Sequence, residues 1–124
     1  MPTTKRDSLP ETDRGPVVEQ TSELGPYTLD FVTFRADVDM KDMLAPLPGG
    51  RCACPHWGTL LKGRVVVHYE DHDEVIEAGE QFYMTPGHVP DISAGTEFVM
   101  FSPTDDLAAT NAAIQAHMEA AQAS

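Results

Sequence analysis

Thr59-Leu60-Leu61, Val65-Val66-Val67-His68-Tyr69, Glu74-Val75-Ile76, Gln81-Phe82-Tyr83-Met84 and Glu97-Phe98-Val99-Met100-Phe101 succeed one another between residues 59 and 101. Each run is short and rich in β-branched or aromatic side chains. Between them lie Lys62-Gly63, Glu70-Asp71-His72-Asp73, Ala78-Gly79-Glu80, Pro86-Gly87 and Ala94-Gly95, which carry turn chemistry. Short strands at near-regular spacing predict an all-β barrel or sandwich.

Upstream, Tyr27, Leu29, Phe31 and Thr33 alternate with Thr28, Asp30, Val32 and Phe34, the period of a strand with one face buried. Residues 1–26 hold Pro2, Pro10, Gly15, Pro16, Gly25 and Pro26 among charged and hydroxyl residues, and read as a flexible arm. The apolar stretch Met40 to Leu47 ends in Pro46-Leu47-Pro48-Gly49-Gly50, which continues neither a helix nor a central strand. Downstream the period changes. Ser102 as a hydroxyl cap, Pro103 in the first turn, and Asp105 and Asp106 near the positive end of the dipole predict a helix over 104–121. Leu107, Ile114 and Met118 give it a narrow apolar stripe amid alanines. The division expected is therefore arm 1–26, barrel 27–103 and C-terminal helix 104–124.

The chain has 124 residues, enough for one domain with a real core. Eight Lys and Arg against twenty Asp and Glu leave a net charge of −12. A phosphate backbone is held by a basic stripe, so nucleic acid is excluded as a leading partner, as is an anionic membrane. No apolar run approaches the ~20 residues of a bilayer span, and no apolar segment follows Lys5 and Arg6 as in a secretory signal. A soluble cytoplasmic protein is expected.

Cys52 and Cys54 are separated only by Ala53; a disulfide across one residue would be strained and staple nothing distant. They open the stretch Cys52-Ala53-Cys54-Pro55-His56-Trp57-Gly58, whose thiols and imidazole are ligands for zinc and softer divalent metals. On a straight strand Cys52 and His56 would lie about 13 Å apart. A bend at Cys54-Pro55 brings them to one point. Thr85-Pro86-Gly87-His88 fits a type II turn that aims His88 back into the sheet. The competing readings are structural: buried thiols packing as small hydrophobes, His56 as a hydrogen-bonded interior histidine, and Trp57 as core. His68, His72 and His117 read as solvated or structural. The acidic turn Glu70 to Glu74 lacks the spaced ligands of a calcium loop. Phosphate-cradling glycine loops and a Gly-X-Ser-X-Gly turn are absent.

This skeleton resembles the cupin family. That family's first motif runs from a glycine through His-X-His and a glutamate to a second glycine; its second runs from a glycine through Pro-X-Gly to a histidine. Residues 57–62 separate His56 from Gly63, which places His56 where the family has its glutamate, Cys52 at the second histidine and Gly50 at the first. In the second motif Gly79 and Thr85-Pro86-Gly87 keep the frame, Pro90 stands at the last histidine, and His88 is the substitute. The match covers residues 27–102. Cys-X-Cys-Pro-His-Trp-Gly, Leu-Lys-Gly-Arg and Pro-Gly-His-X-Pro look like a set shared by small single-domain bacterial cupins.

The resemblance implies a double-stranded β-helix, or jelly roll, with the site between two antiparallel sheets. It also implies a homodimer, with Tyr27–Phe34 and the C-terminal helix as its interface elements. A metal site of Cys52, His56 and His88, with Cys54 as fourth ligand or neighbour, follows as the leading expectation; zinc is first choice, with iron, nickel or copper as alternatives. Isomerase, lyase, hydrolytic or oxygenase chemistry on a small molecule is then open. A second expectation is a metal-free barrel that binds a small apolar or aromatic ligand as sensor or carrier, lined by Trp57, Phe82, Tyr83, Met84 and Met100. A third is redox sensing by the two thiols.

Overall fold

The computed structural model describes residues 1–123, with side chains at all of these except 118 and 121–123. Its strands are β1 (Thr12–Asp13), β2 (Val17–Leu24), β3 (Tyr27–Phe34) and β4 (Val38–Asp39), then β5 (His56–Lys62), β6 (Arg64–His68) and β7 (Asp73–Glu77). β8 (Gln81–Met84), β9 (Val89–Ile92) and β10 (Glu97–Pro103) complete them. A short α1 (Lys41–Leu44) follows β4, and α2 (Thr104–Ala123) follows β10. All pairings are antiparallel and form two sheets, ordered β1-β2-β3-β10-β5-β8 and β4-β9-β6-β7.

The strand runs read from residues 59–101 fall inside β5, β6, β7, β8 and β10, each within a residue or two. Alternation explains why they stack. Val32 and Phe34, Phe98, Leu60 and Met84 from the larger sheet meet Val65, Val67, Ile76 and Ile92 from the smaller one in a single core. A second cluster closes one end of the barrel: Leu44, Leu47, Cys52, Cys54 and Val89, with Leu107 and Ile114 of α2 laid over them. Met118, the third residue of the expected stripe, lies outside the described side chains. Among the described residues no helix is long and apolar enough to cross a membrane.

Three expectations change. Residues 1–26 are not a loose arm, because β2 pairs with β3 along its whole length, from Val17↔Phe34 to Leu24↔Tyr27. The segment before β2 lies on the outer sheet face: Gln20 Nε2 donates to the carbonyls of Arg6 (2.8 Å) and Leu9 (3.0 Å), and the Arg6 guanidinium sits 5.4 Å over the Phe31 ring and pairs with Glu97. Polar residues at Glu19, Gln20, Thr21, Ser22 and Glu23 had hidden the strand.

β3 is an interior strand. Both its ladder edges are taken, by β2 and β10, so it offers no free edge to a partner's strand. Ser102, expected as the cap of α2, is instead a fully buried residue of β10. The helix begins two residues later, where Thr104 N donates to Pro26 O at 3.0 Å and its hydroxyl meets that of Thr28 at 2.9 Å.

Candidate metal centre

His56 opens β5 and points inward, which puts it at the end of the barrel under α2. Cys52 precedes it by four residues, with residues 53–55 outside any strand, and their ligand atoms come within 4.8 Å of one another. His88 arrives from the other sheet. The turn before it places Gly87 at φ +95, a conformation that a side chain rarely adopts, and an isolated bridge then ties Cys52 to His88. Cys52 N donates to His88 O at 3.1 Å and Gly87 N to Cys52 O at 2.8 Å.

The outcome is a buried group in which Cys52, His56 and His88 each offer one ligand atom within 4.8 Å of the other two. Tetrahedral ligation at ~2.0–2.3 Å separates ligand atoms by about 3.4 to 3.8 Å, so closing on an ion takes a contraction of about 1 Å. The two rings lie 5.0 Å apart at 55°.

The hydrogen bonds outside this triad leave the right atoms free. His88 Nδ1 lies 2.7 Å from Thr85 O; a carbonyl only accepts, so Nδ1 carries the proton and Nε2 the lone pair. His56 Nδ1 lies 2.6 Å from Ser102 Oγ, a hydroxyl that can donate or accept; where Nδ1 donates to it, Nε2 holds the lone pair. Ligating histidines are oriented by such second partners. Burial, with the neighbouring His88 adding to it, pushes His56 down to about 3, and burial also lowers His88. Both imidazoles are neutral at pH 7, the form that binds metal.

The thiols behave differently from one another. Cys52 sits among the ligands with Thr110 of α2 beside it; burial raises its pKa. Cys54 is buried in the second cluster, its Sγ 3.6 Å from Pro55 O, and it is not in the convergent group. Burial, then the charges of Cys52 and Asp106, push it up to about 12. Neither is a ready thiolate, which weighs against redox sensing. A divalent cation reverses this for a coordinating sulfur.

Of the expected pocket residues, Phe82, Met84 and Met100 pack into the barrel, while Trp57 and Tyr83 stand on the outer face, 37% and 54% exposed. Parity forces this: successive residues of a strand face opposite sides, so an inward His56 makes Trp57 outward. A cleft of about 240 Å³ opens between the edge strands β7 and β8, with Val67, Tyr69, Ile76, Phe82 and Met84 on its walls. Met84, on the cleft wall, is the cross-strand partner of His56.

Solved structures of the same architecture are numerous. A 1.40 Å structural-genomics protein of unknown function from Rhizobium leguminosarum matches with a TM-score of 0.57 at 15% identity, covering 82% of this chain and 94% of that one. An RmlC-like cupin from Shewanella frigidimarina matches at 0.56 and 15%, covering 81% and 88%. The chain has the cupin fold. A sugar phosphate isomerase of the cupin superfamily from Silicibacter pomeroyi also matches this chain, at 0.57 and 9%, covering 82% and 75%. No family model and no curated protein matches the sequence.

Ser102, Thr85 and Thr110 are the site residues that sequence reading missed. For Ser102 the signal was present: Phe98, Met100 and Ser102 share one face of a strand. The Thr85 carbonyl and Thr110 carry no such mark.

Proposed function

We propose that this cupin binds a divalent transition-metal ion, zinc in the first place, through Cys52, His56 and His88, and uses it on a small organic molecule. The observation that carries the reading is the convergence of three ligand atoms within 4.8 Å, both imidazoles already held through Nδ1. Two nitrogens and a sulfur suit zinc, and also iron, nickel or copper, better than magnesium or calcium. A solved neighbour of the same fold, HppE, carries Fe(II), matching at a TM-score of 0.56 and 9% identity.

An ion with three protein ligands and an open position polarises a carbonyl or activates water, the chemistry shared by isomerases, lyases and hydrolases. The chain's own residues supply the rest. Ser102 and Thr85 O fix the two rings, and Val67, Ile76, Phe82 and Met84 give the cleft an apolar wall. Cys54 supports the fold of the Cys52 segment and stays out of the coordination.

The test is metal analysis of protein purified without chelator or affinity tag, beside a Cys52→Ala, His56→Ala variant. Near-stoichiometric metal in the native chain and loss in the variant are expected; equal content in the two overturns the reading. The apolar wall of the cleft, Val67, Ile76, Phe82 and Met84, supports a second reading, a metal-free barrel that holds a small apolar ligand. Ligand affinity unchanged by metal loading would favour it.

A further inference from the structure

The outer face of the larger sheet carries a second concavity with no part in the metal site. Tyr27, Trp57 and Phe101 enclose a hollow of about 320 Å³. They meet there because of register: Phe101 pairs with Trp57 on one side, and Tyr27 lies at the end of β3, opposite Pro103. Tyr27 and Trp57 stand at 90° with centroids 6.2 Å apart, so they form a corner. Tyr83 stacks on Trp57 at 5.2 Å and 4°, which holds the indole in place. All three walls are aromatic and open to solvent, Tyr27 43%, Trp57 37% and Phe101 39% exposed.

The faces of such rings are negative, and none of the chain's eight Lys and Arg residues lines the hollow. Asp105 follows Pro103 by two residues in the first turn of α2, on the Tyr27 side of the sheet, and the whole chain carries −12. Shape, ring polarity and charge all favour a cation that is apolar at its surface and cheap to desolvate. We propose that Tyr27, Trp57 and Phe101 form an aromatic cage for a quaternary or alkylated ammonium group. Lysine and arginine side chains fit it less well because their several N–H groups would lose water with only the Tyr27 hydroxyl as an acceptor among the lining side chains. An anion is repelled by rings and net charge alike.

Trp57 is the sole tryptophan, so its fluorescence reports on the hollow directly. The probes are choline and its neutral isostere 3,3-dimethylbutan-1-ol, titrated into the full chain at low and high salt. Choline is expected to change the emission saturably and to bind at least about fivefold tighter than the alcohol, an advantage that shrinks with salt. Phe101→Leu and Tyr27→Leu are each expected to weaken choline about fivefold, with circular dichroism and metal content unchanged. Two variants on separate walls keep the test open should one fail to fold. Equal binding of the alcohol overturns the cage and leaves a greasy hollow. So does the absence of any saturable response, or sedimentation showing that the face is buried between two copies and that Phe101→Leu dissociates them.

Discussion

Ser102 Oγ of β10 lies 2.6 Å from His56 Nδ1 of β5, both side chains buried. One hydroxyl thus orients an imidazole that has no other side-chain hydrogen-bond partner among the described residues. Ser102→Ala is expected to lower zinc affinity about 10- to 100-fold, measured by chelator competition. It should also cost about 1–3 kcal/mol in urea unfolding, because a buried ring nitrogen loses its partner. Unchanged zinc affinity would show that Ser102 serves packing alone.

The two cysteines are expected to separate cleanly. Cys52→Ala removes a member of the convergent triad and abolishes stoichiometric zinc. Cys54→Ala removes a sulfur packed among Leu44, Leu47 and Val89; it keeps the zinc and lowers stability by about 1 kcal/mol. Metal content beside chemical denaturation of both variants checks this, and zinc loss in Cys54→Ala would mean that the segment rearranges to use both sulfurs.

Gly58 is held by close approach. A Cβ there would stand 2.2 Å from Val99 O and 2.9 Å from Phe82 Cζ. Phe82 can rotate, but the carbonyl belongs to a paired strand. Gly58→Ala is therefore expected to cost at least about 1–3 kcal/mol and to displace β5 with His56 on it. Thermal unfolding, with metal affinity as the second readout, tests it.

A pH effect resides on the smaller sheet. Asp73 accepts a hydrogen bond from His68 Nδ1 at 2.7 Å and raises the His68 pKa, with the charges of Asp91 and Asp39 adding to it. A raised folded value means the stabilisation is complete below the unfolded value of about 6.5 and disappears as pH climbs through the folded one. Solvent screening keeps it under about 1 kcal/mol. Proton NMR should find His68 titrating above 6.5, and Asp73→Asn should bring it down and remove the excess stability at pH 5.5 only.

The barrel was legible because residues 59–101 alternate strand runs with turn residues, and those turns fixed where each strand stops. β2 was not, since Glu19 to Glu23 offer no apolar period; its pairing energy comes from the ladder to β3. β9 was hidden by Pro90, which argues against an interior strand. At the site, residue types named Cys52, His56 and His88, while the parity of β5, which turns Trp57 outward, became readable only once His56 was placed inside. Helix contacts such as Thr110 on Cys52 depend on how α2 folds back, and no local pattern encodes that.

The way α2 lies over the second cluster sets a clock. Leu107 and Ile114 are its two described apolar anchors there, both only half-buried, so releasing them costs less than the roughly 1.5–3 kcal/mol that each would give if fully buried. Opening the barrel itself would expose the whole two-sheet core. An ion entering or leaving by the Cys52 end therefore waits on the helix lifting, a far smaller event than parting the two sheets.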